Sequence, residues 1–183
     1  MGHPLTLATS RCLLALGLAA CALGSAAQTT PAASAAPRAS VATVVAGILA
    51  YTRWPTEGSA LRLCTLGRGP AVDELLSATT DLGSPQRRVA VQALASPAQM
   101  RVACDAVYVA DSGAAAARET LRALAGQPVL LLGEGADFCS DGGMFCLEPD
   151  EGSTRFGANL DAIARSGLRV NPLVLRIARG ARS

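Results

Sequence analysis

CDAVYVADSGAAAARETLRALAGQPVLLLGEG, residues 104–135, sets two apolar runs on either side of an alanine-rich amphipathic stretch. "CDAVYVAD" (104–111) and "QPVLLLGEG" (127–135) are nearly continuous in Val, Leu, Ala and Tyr. Runs of that kind read as buried strands, and such strands alternating with helices are the signature of an α/β layered sheet. Asp111 and Ser112 sit where a cap is expected, and the spacing predicts a helix from Ala114 to Ala125. A strand, a helix and a strand in this order form one β–α–β unit.

The same alternation extends outward. VATVVAGILAYTRWP carries its apolar residues on one helical face, and the helix should stop at Trp54 because the residue before Pro55 avoids helical backbone. "LRLCTLG" (61–67) reads as a buried strand, and "GPAVDELLSA" as a helix with Pro70 in its first turn. "RRVAVQAL" alternates like a strand, and "SPAQM" opens a short helix with Ser96 as N-cap and Pro97 at the first position. "STRFGANL" is extended, with Asn159 as a cap before a helix that runs from Asp161 to Ser166 and is stopped by Gly167. "NPLVLRIARGAR" closes the chain as a helix, with Asn171 as N-cap and Pro172 following. The fold class is α/β: one layered sheet of mixed strands flanked by helices, with an antiparallel portion at one side.

The chain begins MGHPLTLATSRCLLALGLAACALGSAAQTT. Arg11, an apolar run from Cys12 to Leu23 and the small residues after it have the three-part form of a secretory signal peptide. The run is shorter than the ~20 apolar residues needed to span a bilayer. Ser25-Ala26-Ala27 gives an ordinary cut before Gln28, so residues 1–27 would leave. Leu18-Ala19-Ala20-Cys21 also reads as a lipobox, which would remove 1–20 and leave Cys21 lipidated. The soluble periplasmic form is the favoured expectation. Residues 28–40, rich in Ala, Ser, Thr and Pro, read as a flexible leader, and 41–183 as one domain.

On this reading His3, the only histidine, is removed, and the sequence contains no lysine. Ser-His-Asp and Cys-His catalysis lack their base, and neither a P-loop nor a Schiff-base lysine is present. The expectation is therefore a protein that is not an enzyme and carries no cofactor or metal. Arginines interspersed with acids at a net charge of +2 argue against a nucleic-acid partner. "LGRGPAV" (66–72) supplies Gly67-x-Gly69 between a strand and a helix, but Val72 replaces the third glycine of a dinucleotide fingerprint. Arg87-Arg88 stand where a ribose-binding acid is expected, so the stretch reads as a plain strand-to-helix turn.

Four cysteines remain in an oxidising compartment: Cys64, Cys104, Cys139 and Cys146. "FCSDGGMFCLE" (138–148) reads as a hairpin with a two-residue Gly142-Gly143 turn, pairing Asp141 with Met144, Ser140 with Phe145 and Cys139 with Cys146. Directly opposed strand residues fall within the Cα separation of a disulfide. Cys64 and Cys104 are left for each other. Redox activity has no CxxC to support it, and zinc would have to be held by cysteines and carboxylates alone.

"RWP", "LRLCTLG", "CDAVYVAD", "PVLLLGEGADFCSDGGMFCLE" and "RFGANLDAIARSGLRVNPLVLRIAR", in that order, resemble the YfiR-like family of small periplasmic proteins over nearly all of residues 41–180. The four cysteines sit where that family's two disulfides would be. The resemblance implies an α/β domain, often a homodimer, without catalytic activity. It also implies repression of a membrane-bound diguanylate cyclase through the cyclase's periplasmic sensor domain. An outer-membrane lipoprotein of the OmpA type can sequester such a repressor, which raises cyclic di-GMP and favours biofilm growth. The sequence departs from the family at Ile48–Pro55, which lacks the usual aromatic run, and at Gly157-Ala158, where bulkier aliphatics are usual.

Trp54, the only tryptophan, is a candidate partner anchor or a cap on a small-residue core. Arg155, Arg165 and Arg169 are candidate contacts for a partner's carboxylates. Two rival classes stand beside the regulator. One is a periplasmic small-ligand-binding module serving a transporter or a histidine-kinase receptor. The other is a thiol oxidoreductase.

Overall fold

The computed structural model describes residues 39–56, 58, 60–78, 82–84, 87–94, 96–150 and 153–180. The expected signal peptide, the alternative lipidation site Cys21 and the leader up to residue 38 lie outside them. The chain starts with helix α1 (Val41–Tyr51), followed by the short strand β1 (Thr52–Arg53). It then alternates: β2 (Ala60–Leu66), α2 (Pro70–Ser77), β3 (Arg88–Ala93), α3 (Pro97–Ala103), β4 (Ala106–Val109), α4 (Ala114–Leu124) and β5 (Leu130–Glu134). Helix α5 (Ala136–Ser140) leads into β6 (Phe145–Asp150) and β7 (Ser153–Ala158). Helix α6 (Leu160–Arg165), strand β8 (Arg169–Val170), a 3-10 turn (Pro172–Val174) and α7 (Leu175–Gly180) complete the described chain.

Six strands form one sheet in the order β3-β2-β4-β5-β6-β7, and β1 pairs separately with β8. All neighbours from β3 to β6 are parallel, and β7 alone runs antiparallel, at the edge. The opening stretch is therefore the centre of the sheet: β4 and β5 are buried from Ala106 to Val109 and from Leu130 to Gly133. Two-sided burial accounts for their continuous apolar character. Tyr108, fully buried in β4, donates its hydroxyl to the Glu134 carboxylate at 3.0 Å. Burial, reinforced by that carboxylate, pushes the phenol pKa up, so Tyr108 remains a neutral donor.

Three expectations change. Helix α1 ends at Tyr51 rather than Trp54. Thr52 leaves the helix, its hydroxyl donating back to the Ile48 carbonyl at 2.7 Å, and β1 pairs with β8 while Asn171 N–H binds the Tyr51 carbonyl. Tertiary pairing ends the helix before the proline rule applies. Asp111 and Ser112 do not cap α4; its N-cap is Gly113, with no side-chain cap. Ser96 holds the N-cap position of α3 but makes no capping bond, whereas Asn159 and Asn171 cap through their side chains to Ala162 N–H and Leu173 N–H.

The third change concerns residues 138–148. Cys139 and Cys146 are bonded to each other, with a Cα separation of 5.4 Å, but no hairpin lies between them. Residues 136–140 are helical, and β6 then runs parallel to β5, so the segment is a short crossover rather than a reversal. The antiparallel hairpin lies one strand later, between β6 and β7. Phe138 decides the outcome. Its buried ring occupies the space a side chain would need at both Gly133 and Gly143, so Gly143 makes room for the ring instead of forming a turn. Gly142, at φ +110°, carries the chain out of the helix.

Gly157 has the same kind of reason. It lies opposite Cys146 in the β6–β7 register, and a Cβ there would come 2.9 Å from the Cys146 sulfur. The cystine and the glycine require each other, which accounts for the small residue in place of an aliphatic. Gly143→Ala should lower unfolding free energy by about 1–3 kcal/mol through overpacking. In urea titrations the loss should shrink when Phe138→Leu is added, because the two residues share one space.

Candidate partner-binding site

The amino-terminal edge of the parallel strands holds Trp54, the first of the side chains singled out by sequence, in a cluster built around Asp105. Asp105 is the hub. Its carbonyl accepts from the Leu130 N–H at 3.0 Å and from the Trp54 indole N–H at 2.9 Å. Its carboxylate accepts from Arg62 through the backbone N–H at 2.8 Å and through Nε at 3.2 Å. That carboxylate, by hydrogen bond and charge, raises the Arg62 pKa above its ordinary value against a smaller opposing effect of burial. The neighbouring residue, Cys104, is bonded to Cys64 with a Cα separation of 5.8 Å.

Trp54 therefore caps the core. Its side chain is buried, its one donor is satisfied, and the Arg87 guanidinium lies over the ring at 5.6 Å from the centroid. A partner could reach it only by displacing Arg87. The nearby surface is basic: Arg53 and Arg87 line an open cavity of about 560 Å³ whose apolar wall includes Leu49, Leu61 and Val89.

The three candidate arginines are separated by the fold. Arg155, on edge strand β7, lies opposite Glu148 in register and pairs with it at 3.8 Å; both are exposed. Arg165 pairs with Asp161 one turn earlier on α6, again in solvent. Exposed pairs of this kind contribute little to stability. Arg169 differs. The β1–β8 register sets it directly opposite Arg53, and among the described residues neither guanidinium has a carboxylate partner. Directly opposed like charges disfavour strand pairing. Arg53 carries no local signal for this role, because only the pairing of β1 with β8, 116 residues apart in register, makes it a neighbour of Arg169.

The arrangement offers two arginines side by side, a third on a buried indole, and a shallow apolar floor. Planar guanidiniums of this kind bind carboxylates in a bidentate manner. Among the described residues no group of three or more His, Cys, Asp or Glu is placed to hold a metal ion. No described helix is long and apolar enough to cross a membrane.

Comparison with known proteins gives two results. The model of the YfiR/HmsC-like family matches residues 38–179. A solved structure, that of a conserved domain protein from Vibrio cholerae O1 biovar El Tor strain N16961, aligns at 16% identity with a TM-score of 0.49. The alignment covers 75% of this chain and 58% of the other, so the chain spans less than two thirds of that protein's length.

Removing the Cys64–Cys104 bond by a double alanine substitution should cost about 4 kcal/mol, against about 2.5 for Cys139–Cys146, because it closes the longer loop. Trp54, as the only tryptophan, reports on the first directly through its fluorescence in denaturant titrations. Trp54→Ala should cost about 3–5 kcal/mol, the signature of a core side chain. Near-native stability in that variant would make Trp54 a free surface anchor instead.

Proposed function

The chain belongs to the YfiR/HmsC-like family, and from that premise we propose that it is an exported, non-enzymatic regulator that represses a membrane-bound diguanylate cyclase by binding its periplasmic sensor domain. Residues 1–27 direct export and are removed, 28–40 form a leader, and the protein works in the periplasm. Release of the cyclase, through sequestration of this protein by an OmpA-like outer-membrane lipoprotein, raises cyclic di-GMP and promotes biofilm growth.

The family match over residues 38–179 carries this reading. The edge geometry supports it. Arg53 and Arg169 stand opposite each other in the β1–β8 register, and Arg53 donates only to the Ala50 and Thr52 carbonyls. Neither has a carboxylate partner among the described residues, and a partner's carboxylate would relieve their repulsion. Two disulfides in one small domain fit an oxidising compartment. Contact with the sensor domain is assigned to this edge, with Arg53, Arg87 and Arg169 as its charged residues. Arg155 and Arg165 are assigned no such role, because each already has a carboxylate of its own.

Deleting the gene should raise intracellular cyclic di-GMP, measured by mass spectrometry of cell extracts, and the native gene should restore it. Arg169→Glu separates contact from folding. It creates an opposite-charge pair with Arg53, so stability should hold or rise by up to about 1 kcal/mol. Affinity for the purified sensor domain should fall at least about tenfold. Unchanged cyclic di-GMP on deletion would end the regulator reading, and unchanged affinity in Arg169→Glu would move the contact elsewhere.

A further inference from the structure

The opposite, carboxyl-terminal edge of the parallel strands holds a second constellation, unconnected with the arginine edge. Strand β2 lies between β3 and β4 in the sheet, so the chain leaves it toward one side and later returns on the other. The point between β2 and β4 where the strand order reverses is where open α/β sheets form a crevice outside the strand ends. Here that crevice encloses about 860 Å³, lined by Thr65, Gly67, Arg68 and Gly69 from one loop and by Asp111, Ser112 and Gly113 from the other. That is ample for a small molecule, for which sites of about 300–1,000 Å³ are usual.

The two loops are locked together. Ala110 N–H donates to the Leu66 carbonyl at 2.9 Å, Arg68 and Asp111 form a backbone bridge, and a Cβ on Gly67 would come 2.9 Å from the Asp111 carbonyl oxygen. Two helices begin at this rim, α2 after Gly69 and α4 after Gly113, and neither has a side-chain cap. The N–H groups of Ala71 and Val72, and of Ala114, Ala115 and Ala116, have no acceptor among the described residues. Both glycines take positive φ, and a Cβ on either would meet nothing within 4 Å, so both helix mouths are open.

Two hydroxyls supply the independent observation. Thr65, whose side chain is 1% exposed, lines the crevice, and its hydroxyl has no hydrogen-bond partner among the described residues. The buried Ser112 hydroxyl, on the facing loop, also has none. A buried polar group left unpaired forfeits its hydration without compensation, and two such groups on one cavity point to something that completes them. Arg68 is exposed at the same rim and makes no ion pair among the described residues.

We propose that this crevice binds the phosphate group of a small ligand. Backbone N–H groups of the two helix starts donate to its oxygens, with the Arg68 guanidinium at the mouth and the covered Thr65 and Ser112 hydroxyls turning to complete the cradle once the ligand seats. Uncapped helix starts favour an anion through both their free donors and their dipoles. The carboxylates of Asp111, on the lining, and Asp73, in the first turn of α2, oppose a bare anion. Asp111 in turn is a natural acceptor for a ligand hydroxyl, so a phosphate ester of a polyol or nucleoside fits better than free phosphate. Gly67-Arg68-Gly69 thus serves as half of a two-loop cradle, without the remainder of a dinucleotide fingerprint.

The test uses protein purified from the cell envelope, with backbone amide spectra recorded at constant ionic strength during titration with inorganic phosphate and, separately, adenosine 5′-monophosphate. Saturable shifts of the Gly69–Val72 and Gly113–Ala116 amides are expected. Tighter binding of the ester assigns a phosphorylated metabolite, and equal binding assigns phosphate itself. Arg68→Ala, an exposed change, should weaken binding at least about tenfold with unchanged thermal unfolding, and Ala116→Glu should abolish it by placing a carboxylate on the lining. Absence of saturation, shifts confined to other residues, or native affinity in Arg68→Ala would overturn the proposal. The outcome is independent of the regulator reading, which concerns the other edge.

Discussion

The carbonyl of Asp105 receives two donors that belong to different layers of the protein. One comes from Leu130 in the next strand, the other from Trp54 just after β1. The same residue's carboxylate holds Arg62 at the start of β2, and its chain neighbour is cross-linked to Cys64 within β2. Three other segments, the stretch at Trp54, β2 and β5, thus converge on two residues. A core with aromatics at only 3% of the chain has few large side chains to fix such relations by shape. Directional bonds and a cystine therefore set the register that interlocking aromatics set elsewhere.

The few large side chains impose strict local rules. Phe138 excludes a side chain at Gly133 and Gly143, the Cys146 sulfur excludes one at Gly157, and Phe145 meets Phe156 edge-on at 5.8 Å. These constraints cluster on β5, β6 and β7, the side of the sheet where strand direction changes. The short crossover through α5 must turn the chain within a few residues to keep β6 parallel. The Cys139–Cys146 bond and the Asn159 amide, which donates to the Cys139 carbonyl at 2.8 Å, hold that turn from both ends.

Much of this was legible in the sequence, and the reasons are specific. The apolar runs of β2, β4 and β5, the prolines opening α2 and α3, and the Asn caps at 159 and 171 are local signals, and each formed where its chemistry predicted. Gly142-Gly143 misled because the same dipeptide serves a primed turn and a packing gap, and only the position of Phe138 distinguishes them. The pairing of Cys139 with Cys146 holds without the hairpin, because the short crossover also brings their Cα atoms to 5.4 Å. The site was less legible. Arginines near one another in sequence proved to be scattered, while Arg53 and Arg169, far apart, became neighbours through a strand pair of two residues each.

The two cystines differ in what they can govern. Cys64, in β2, and Cys104, between α3 and β4, are both buried, and the bond between them closes the long loop that contains α2, β3 and α3. Its loss would loosen Asp105, and with it the support of Trp54 beneath the Arg87 guanidinium. Cys139 is partly exposed, and its bond closes a short loop far in the chain from β1 and β8. Thiol exchange depends on access to sulfur. A reductant would reach the outer cystine first, yet the arginine edge rests on the inner one. Any redox influence on that edge would thus have to open the core, so burial makes its geometry a consequence of folding rather than of ambient potential.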